Sequence, residues 1–306
     1  MFDSLLLFTY GGPETEAEIR PFVQSVLPEN TPESRIEAAA AKYQLLGGTS
    51  PLNAQSRALI VRLLNRIKQR NESIPVYWAT LHSSPPVNET VSQMIQDGRK
   101  NAAVFVPAPL ESQYMKKKYR AALDAALNSV SSEELKFHFL PPYWQTEEFI
   151  QAQAKSISKG LKRLAEQGES NVTVIFTAHS LPKAWEESAL YDTNFQNTIN
   201  AVVKQAGLKP ERAIKAYQSK PDGAPGEWLS PEPGDVIWNL KNQVLCPAVL
   251  LVPLGFSLDN MEVAYDLDYQ MGVLCNELNY PFFRAPTAAA EDEFIDMIIN
   301  LVIKLG

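Results

Sequence analysis

An alternation running from Leu5 to Lys304 is the strongest constraint on what this chain can fold into. Short apolar runs bounded by turn residues are separated by stretches with helical spacing. The runs are Leu5–Thr9, Val76–Thr80, Ala102–Pro107, Leu135–Leu140, Val172–Phe176, Ala213–Ser219, Ala248–Pro253 and Tyr280–Arg284. They are short for helices and often rich in β-branched residues, so they read as buried strands. Helices are predicted over Glu14–Val26, Ser34–Leu46, a stretch capped by Ser50 or Asn53 and running to Gln69, Val87–Asp97 and Tyr114–Asn128. Further helices follow over Glu147–Glu166, Asn194–Ala206, Val236–Gln243, Val263–Leu278 and Glu291–Lys304. Strands alternating with helices build parallel sheets from right-handed βαβ units. The series restarts after one long helix. The expectation is therefore an α/β chain of two doubly wound domains, 1–145 and 146–306, with parallel sheets and an active-site cleft between them.

Composition narrows the function classes. With 28 basic against 35 acidic residues, the net charge of −7 argues against a nucleic-acid partner. No apolar run reaches the ~18–20 residues of a membrane span. The opening Met-Phe-Asp-Ser-Leu-Leu-Leu-Phe has no basic segment before its apolar residues and reads as a first strand rather than a signal peptide. Two cysteines, Cys246 and Cys275, fit a reduced cytoplasm and exclude a disulfide framework or a cysteine metal cluster. Neither a Gly-x-Gly-x-x-Gly turn, a Walker-type lysine loop nor a Gly-x-Ser-x-Gly elbow is present.

Ligands of open α/β sheets bind beyond the carboxyl ends of strands. Val172–Phe176 leads directly into Thr177-Ala178-His179-Ser180-Leu181-Pro182, so His179 leaves a strand where the backbone turns irregular. Imidazole titrates near neutral pH. Ala248–Pro253 ends in the same way and places Glu262 beyond a second strand end. A histidine and a carboxylate that converge there can move a proton or hold a metal ion. His82 also follows a strand, whereas His138 lies inside one, where packing is the simpler account. Glu262, Asp266 and Gln270 recur at i, i+4 and i+8, which puts all three on one helix face. Such a row usually marks a solvated acidic face. Here Met261, Val263 and Tyr265 interleave it and Asp259-Asn260 stands in capping position, so it also suits oxygen ligands for a weakly held divalent ion.

In this order and spacing the residues resemble the ferrochelatase family, most closely the coproporphyrin III ferrochelatases of monoderm bacteria. The resemblance rests on Tyr10-Gly11-Gly12-Pro13, Lys42-Tyr43, Gly47-Gly48-Thr49-Ser50-Pro51-Leu52, His82 and Ala178-His179-Ser180-Leu181-Pro182. It continues through Tyr217-Gln218-Ser219, Trp228-Leu229-Ser230-Pro231, Val252-Pro253-Leu254-Gly255-Phe256, Asp259, Glu262 and Tyr265-Asp266-Leu267-Asp268-Tyr269. It implies a monomeric cytoplasmic enzyme of two Rossmann-like, chelatase-type domains that inserts Fe2+ into a porphyrin, coproporphyrin III before protoporphyrin IX. Porphyrin and ferrous iron are then the substrates, and no other cofactor is needed. By the same resemblance, His179 and Glu262 are the catalytic pair that meets the metal, with neutral His179 as pyrrole proton acceptor. Tyr10 faces the metal from the other side of the macrocycle, and Lys42, Tyr43, Ser50 and Tyr119 contact propionates or the porphyrin edge.

The chain departs from the family's pattern at several points. Asn260 stands where the family has a histidine and cannot take up a proton. Gln270 replaces an acid at the outer end of the helical row, and Lys42 replaces an arginine, keeping the charge but losing a bidentate fork. Val23–Glu29 carries no Lys or Arg, and Pro109–Lys118 lacks most of the family's small hydroxyl residues. Two other functions fit such a chain: a sirohydrochlorin-type chelatase, which would lean on His82 as well, and a porphyrin- or haem-binding homologue without turnover.

Overall fold

The computed structural model of the protein describes residues 1–130, 134–242 and 248–306. Cys246 and the expected last residue of one helix, Gln243, lie outside these residues. Eight strands occupy the eight apolar runs: β1 Ser4–Thr9, β2 Val76–Thr80, β3 Asn101–Phe105, β4 Lys136–Phe139, β5 Val172–His179, β6 Ala213–Gln218, β7 Ala248–Val252 and β8 Phe282–Arg284. The helices are α1 Glu16–Val26, α2 Glu33–Leu45, α3 Pro51–Gln69, α4 Val87–Gln96, α5 Gln113–Ser129, α6 Glu147–Glu166, α7 Ser188–Gln205, α8 Pro233–Asn242, α9 Met271–Glu277 and α10 Asp292–Leu305.

The strands form two four-stranded sheets of the same order, β2-β1-β3-β4 and β6-β5-β7-β8, and every pairing is parallel. Each sheet grows first to one side of its opening strand and then to the other. This reversal leaves a crevice at the carboxyl ends of β1 and β3 in one sheet and of β5 and β7 in the other. Helices cover both faces, which is why Leu5–Phe8 of β1 and Ala248–Val252 of β7 are continuous apolar runs, buried throughout.

By compactness the chain divides into one unit of Met1–Pro107, Gln113–Pro141 and Ile295–Gly306 and another of Ala108–Ser112 and Pro142–Phe294. Against the expected division into 1–145 and 146–306, the main break falls at Pro141, Ala108–Ser112 groups with the second unit and the chain's last segment groups with the first. Within that unit Arg66 Nε of α3 donates to Asp296 at 2.6 Å, and Arg70 of the same helix end reaches Asp296 at 2.6 Å and Asn300 at 2.7 Å. The buried side chains Met297, Ile298, Ile299 and Val302 supply the apolar face.

Three local differences from the sequence reading lie near the second crevice. β5 runs on to His179, because Thr177, Ala178 and His179 pair in register with Ala216, Tyr217 and Gln218 of β6. α7 begins at Ser188 rather than Asn194: the Ser188 hydroxyl donates to the Pro182 carbonyl at 2.6 Å, and Tyr191 is buried one turn on. Val263–Gln270, expected as α-helix, is a π-helix. Met271 N–H bonds to the Asp266 carbonyl, five residues back rather than four.

Among the described residues no helix is long and apolar enough to cross a membrane. Cys275 is a buried free thiol, pushed up to about 12 by burial.

Candidate active site

His179 is the last residue of β5, and the chain beyond it is held on both sides. Ser180 N–H donates to the Gln218 carbonyl at 2.8 Å, Ser180 Oγ donates to the Leu229 carbonyl at 2.8 Å, and Leu229 N–H donates to the Leu181 carbonyl at 2.9 Å. The imidazole is fixed as well. Nδ1 lies 2.6 Å from the Ser180 carbonyl oxygen, which can only accept, so this geometry assigns a hydrogen to Nδ1. Nε2 then faces Glu262 Oε1 at 3.3 Å.

Glu262 reaches that position through a tight turn after β7. Gly255 N–H donates to the Thr177 carbonyl at 2.9 Å, and a Cβ built on Gly255 would stand 2.7 Å from Ala178 Cβ and 2.8 Å from its Cα. Only glycine allows this turn to lie against the strand that ends in His179. Tyr143 OH and Ser257 Oγ, 2.8 Å apart and buried, fix the next residues. Asn260 then caps the helix, its Oδ1 accepting from Val263 N–H at 2.9 Å. Of the two capping candidates in the sequence, Asn260 caps and Asp259 turns to Arg284 instead.

The charge state of His179 differs from the sequence expectation. Burial opposes the imidazolium, but Glu262, the Ser180 carbonyl and Asp266 outweigh it and push the pKa up from 6.5 to about 9. Against the neutral imidazole expected from the sequence, the Glu262 contact favours the charged form of His179 at neutral pH. The two side chains are 35% and 42% exposed, so a ligand can reach both. Tyr191, buried beneath, bonds through its hydroxyl to the His179 backbone, and burial followed by Glu262 raises its phenol.

Asp266 does not extend a ligand row. Ser219 Oγ donates to its carboxylate, and Gln218 Nε2 approaches it at 3.4 Å while bonding to the Glu262 carbonyl at 3.2 Å. Gln270 is exposed. Among the described residues no three His, Cys, Asp or Glu side chains gather into a metal-enclosing set. One histidine with one carboxylate is an open site that can pass an ion on, unlike a closed set of four ligands.

The first unit gathers Tyr10, His82, Phe22 and Tyr43 beyond β1 and β2. Tyr10 and His82 rings lie 4.7 Å apart, and Phe22 lies 6.4 Å from Tyr10 and 5.9 Å from Tyr43. Burial, with Lys118 nearby, lowers the His82 pKa; Ser25 Oγ is 3.3 Å from its Nδ1. Lys42 occupies the last turn of α2. Ser50 is buried as the N-cap of α3, accepting from Leu52 N–H at 3.4 Å, and lies against Gly12, where an added Cβ would meet its Cβ at 2.5 Å. Tyr119 is 5% exposed, packed edge-on to Phe8 at 4.7 Å in the core of the first sheet. Packing thus accounts for Tyr119 and capping for Ser50. His138 packs beside Phe2, the rings tilted and 5.4 Å apart.

Gln218, Ser219, Tyr191 and Arg284 escaped the sequence reading as site residues. Gln218 and Arg284 carried a usable signal, since each is a polar residue at the carboxyl end of a strand.

The sequence profile of the ferrochelatase family matches residues 3–305. A ferrochelatase of Rhodopirellula baltica is 30% identical over 98% of this chain and 85% of its own. A coproporphyrin III ferrochelatase of Frankia alni is 32% identical over 98% of this chain and 79% of its own. Among solved structures, the sirohydrochlorin chelatase SirB of Bacillus subtilis subspecies spizizenii, in complex with cobalt, superposes with a TM-score of 0.57 at 10% identity, covering 99% of this chain and 95% of that one. CbiX, the terminal enzyme of sirohaem biosynthesis in denitrifying bacteria, gives 0.55 at 10% identity, covering 98% of each chain. At such identity the likeness is one of fold.

Proposed function

The chain belongs to the ferrochelatase family, metal chelatases of haem biosynthesis, and from that premise we propose that it inserts Fe2+ into coproporphyrin III through His179 and Glu262. The observation that carries the assignment is the 3.3 Å approach of Nε2 to Oε1 at the crevice of the second sheet. The names of relatives such as that from Frankia alni favour coproporphyrin III. The enzyme works as a monomer in the cytoplasm and needs nothing besides its two substrates.

The reaction exchanges a dication for two pyrrole protons, with no change of oxidation state. Because the resting pair already holds a proton, His179 cannot serve as the first acceptor. The Glu262 carboxylate takes the two pyrrole protons in turn and, being 42% exposed, releases each to water before the next arrives. Fe2+ reaches Nε2 only as the shared proton leaves, so metal capture strengthens as pH rises towards 9. The Nδ1 hydrogen bond to Ser180 keeps Nε2 aimed in one direction throughout.

The test is anaerobic. Purified protein receives Fe2+ with coproporphyrin III, protoporphyrin IX or sirohydrochlorin, and loss of free-base fluorescence is followed. Many turnovers on coproporphyrin III, with slower use of the others, is the expected result. Preference for sirohydrochlorin, or binding of porphyrin without insertion, overturns it.

A further inference from the structure

Glu262 is held in place by a helix that is fixed from two opposite faces. On one face Gln218 and Ser219 hold Asp266 and the Glu262 carbonyl. Asp268, two residues beyond Asp266, points to the other face. There Arg284, at the end of β8, forks onto two carboxylates at once. Its Nη1 and Nη2 lie 3.0 and 3.2 Å from the two oxygens of Asp259, and its Nε and Nη2 lie 2.8 and 2.9 Å from those of Asp268. The guanidinium side chain is 16% exposed and that of Asp259 18%. Asp259 precedes the helix and Asp268 lies in its π-helical part, so the two clamped carboxylates bracket Glu262 in sequence.

A π-helical stretch is a wider and less favoured winding than the α-helix. This one is pinned through Asp268 to β8, a strand of the same sheet that carries His179, and the turn that leads into the helix is pinned to the same guanidinium through Asp259. We propose that Arg284 is a positioning residue, which sets the reach of Glu262 to His179 by clamping both flanks of the Glu262 helix to the sheet. The planar fork is essential to the clamp. A lysine ammonium keeps the charge but cannot present paired N–H donors to two carboxylates. The inference rests on the function proposed above for the catalytic pair, but its own geometry is independent of what the site binds.

The test is a double-mutant cycle in the intact protein. Single-turnover Fe2+ insertion into coproporphyrin III is measured for the wild type, Arg284→Lys, Glu262→Gln and the double variant, together with hydrogen exchange of the amides from Glu262 to Met271. A residue that acts through Glu262 loses its effect once Glu262 is gone. Arg284→Lys is expected to slow insertion about 10-fold with the porphyrin KM unchanged, to cost under about 2-fold in the Glu262→Gln background, and to speed exchange across the helix. Equal fold-losses in both backgrounds, or unchanged exchange, overturn the proposal. If Arg284→Lys does not fold, Asp268→Asn loosens the same flank while sparing the Asp259 pair and is judged by the same two measures. Should the wild type insert no metal, the function proposed above fails. The exchange comparison then decides alone: acceleration confined to this helix upholds the clamp, and none overturns it.

Discussion

His179 is pulled in opposite directions by its surroundings, since burial disfavours its charge while the Glu262 carboxylate at 3.3 Å favours it. The carboxylate wins. Removing it therefore reverses the outcome: in Glu262→Gln the His179 pKa, followed by NMR of the ring protons, should fall from about 9 to below its ordinary 6.5. A value that stays near 9 would mean that Glu262 is not the cause. The same shift links to stability. A pKa raised in the folded state stabilises fully below the unfolded value of 6.5 and is lost as pH climbs through about 9. Urea midpoints of the wild type should accordingly decline between pH 6.5 and 9, and His179→Ala should flatten that part of the profile. The position of His179 at a strand end was legible, because a β-branched run leads into it. Its charge was not, because that depends on a residue eighty-three positions away in sequence.

Among the elements, the strands and most helices followed from period and length, and α6 runs from Glu147 to Glu166 as predicted. The π-helix was invisible for a physical reason. Residues at i and i+4 share a face in both windings, so the Glu262, Asp266 and Gln270 spacing could not tell one from the other. The start of α7 was hidden because it depends on Ser188 and Tyr191 meeting the backbone of Pro182 and His179 in the irregular segment before the helix, which no period marks. Two substitutions test what holds the Glu262 element in place. Gly255→Ala forces a methyl group into Ala178 and should cost about 1–3 kcal/mol in urea unfolding, along with most of the insertion rate. Asn260→Ala removes only the cap and should cost about 1 kcal/mol. A neutral result for Gly255→Ala would show that the turn does not support β5.

Over the whole molecule, the same strand order appears twice, and each sheet reverses its growth at the same place in the series. The alternation in the sequence conveyed this duplication, but not that Ile295–Gly306 groups with the first unit, since an amphipathic terminal helix carries no mark of its partner. A fragment of residues 1–141 lacks that helix and should give a poorly dispersed NMR spectrum, whereas a well-dispersed one would make the helix dispensable. The central claim concerns the pair at the second crevice. Its most direct measurement is the rate of anaerobic Fe2+ insertion into coproporphyrin III by the wild type and by His179→Ala at equal porphyrin occupancy. A loss of roughly 100-fold or more, with porphyrin binding unchanged, is the result predicted for a residue that captures the metal ion. A rate within about 2-fold of the wild type would contradict the assignment of this site.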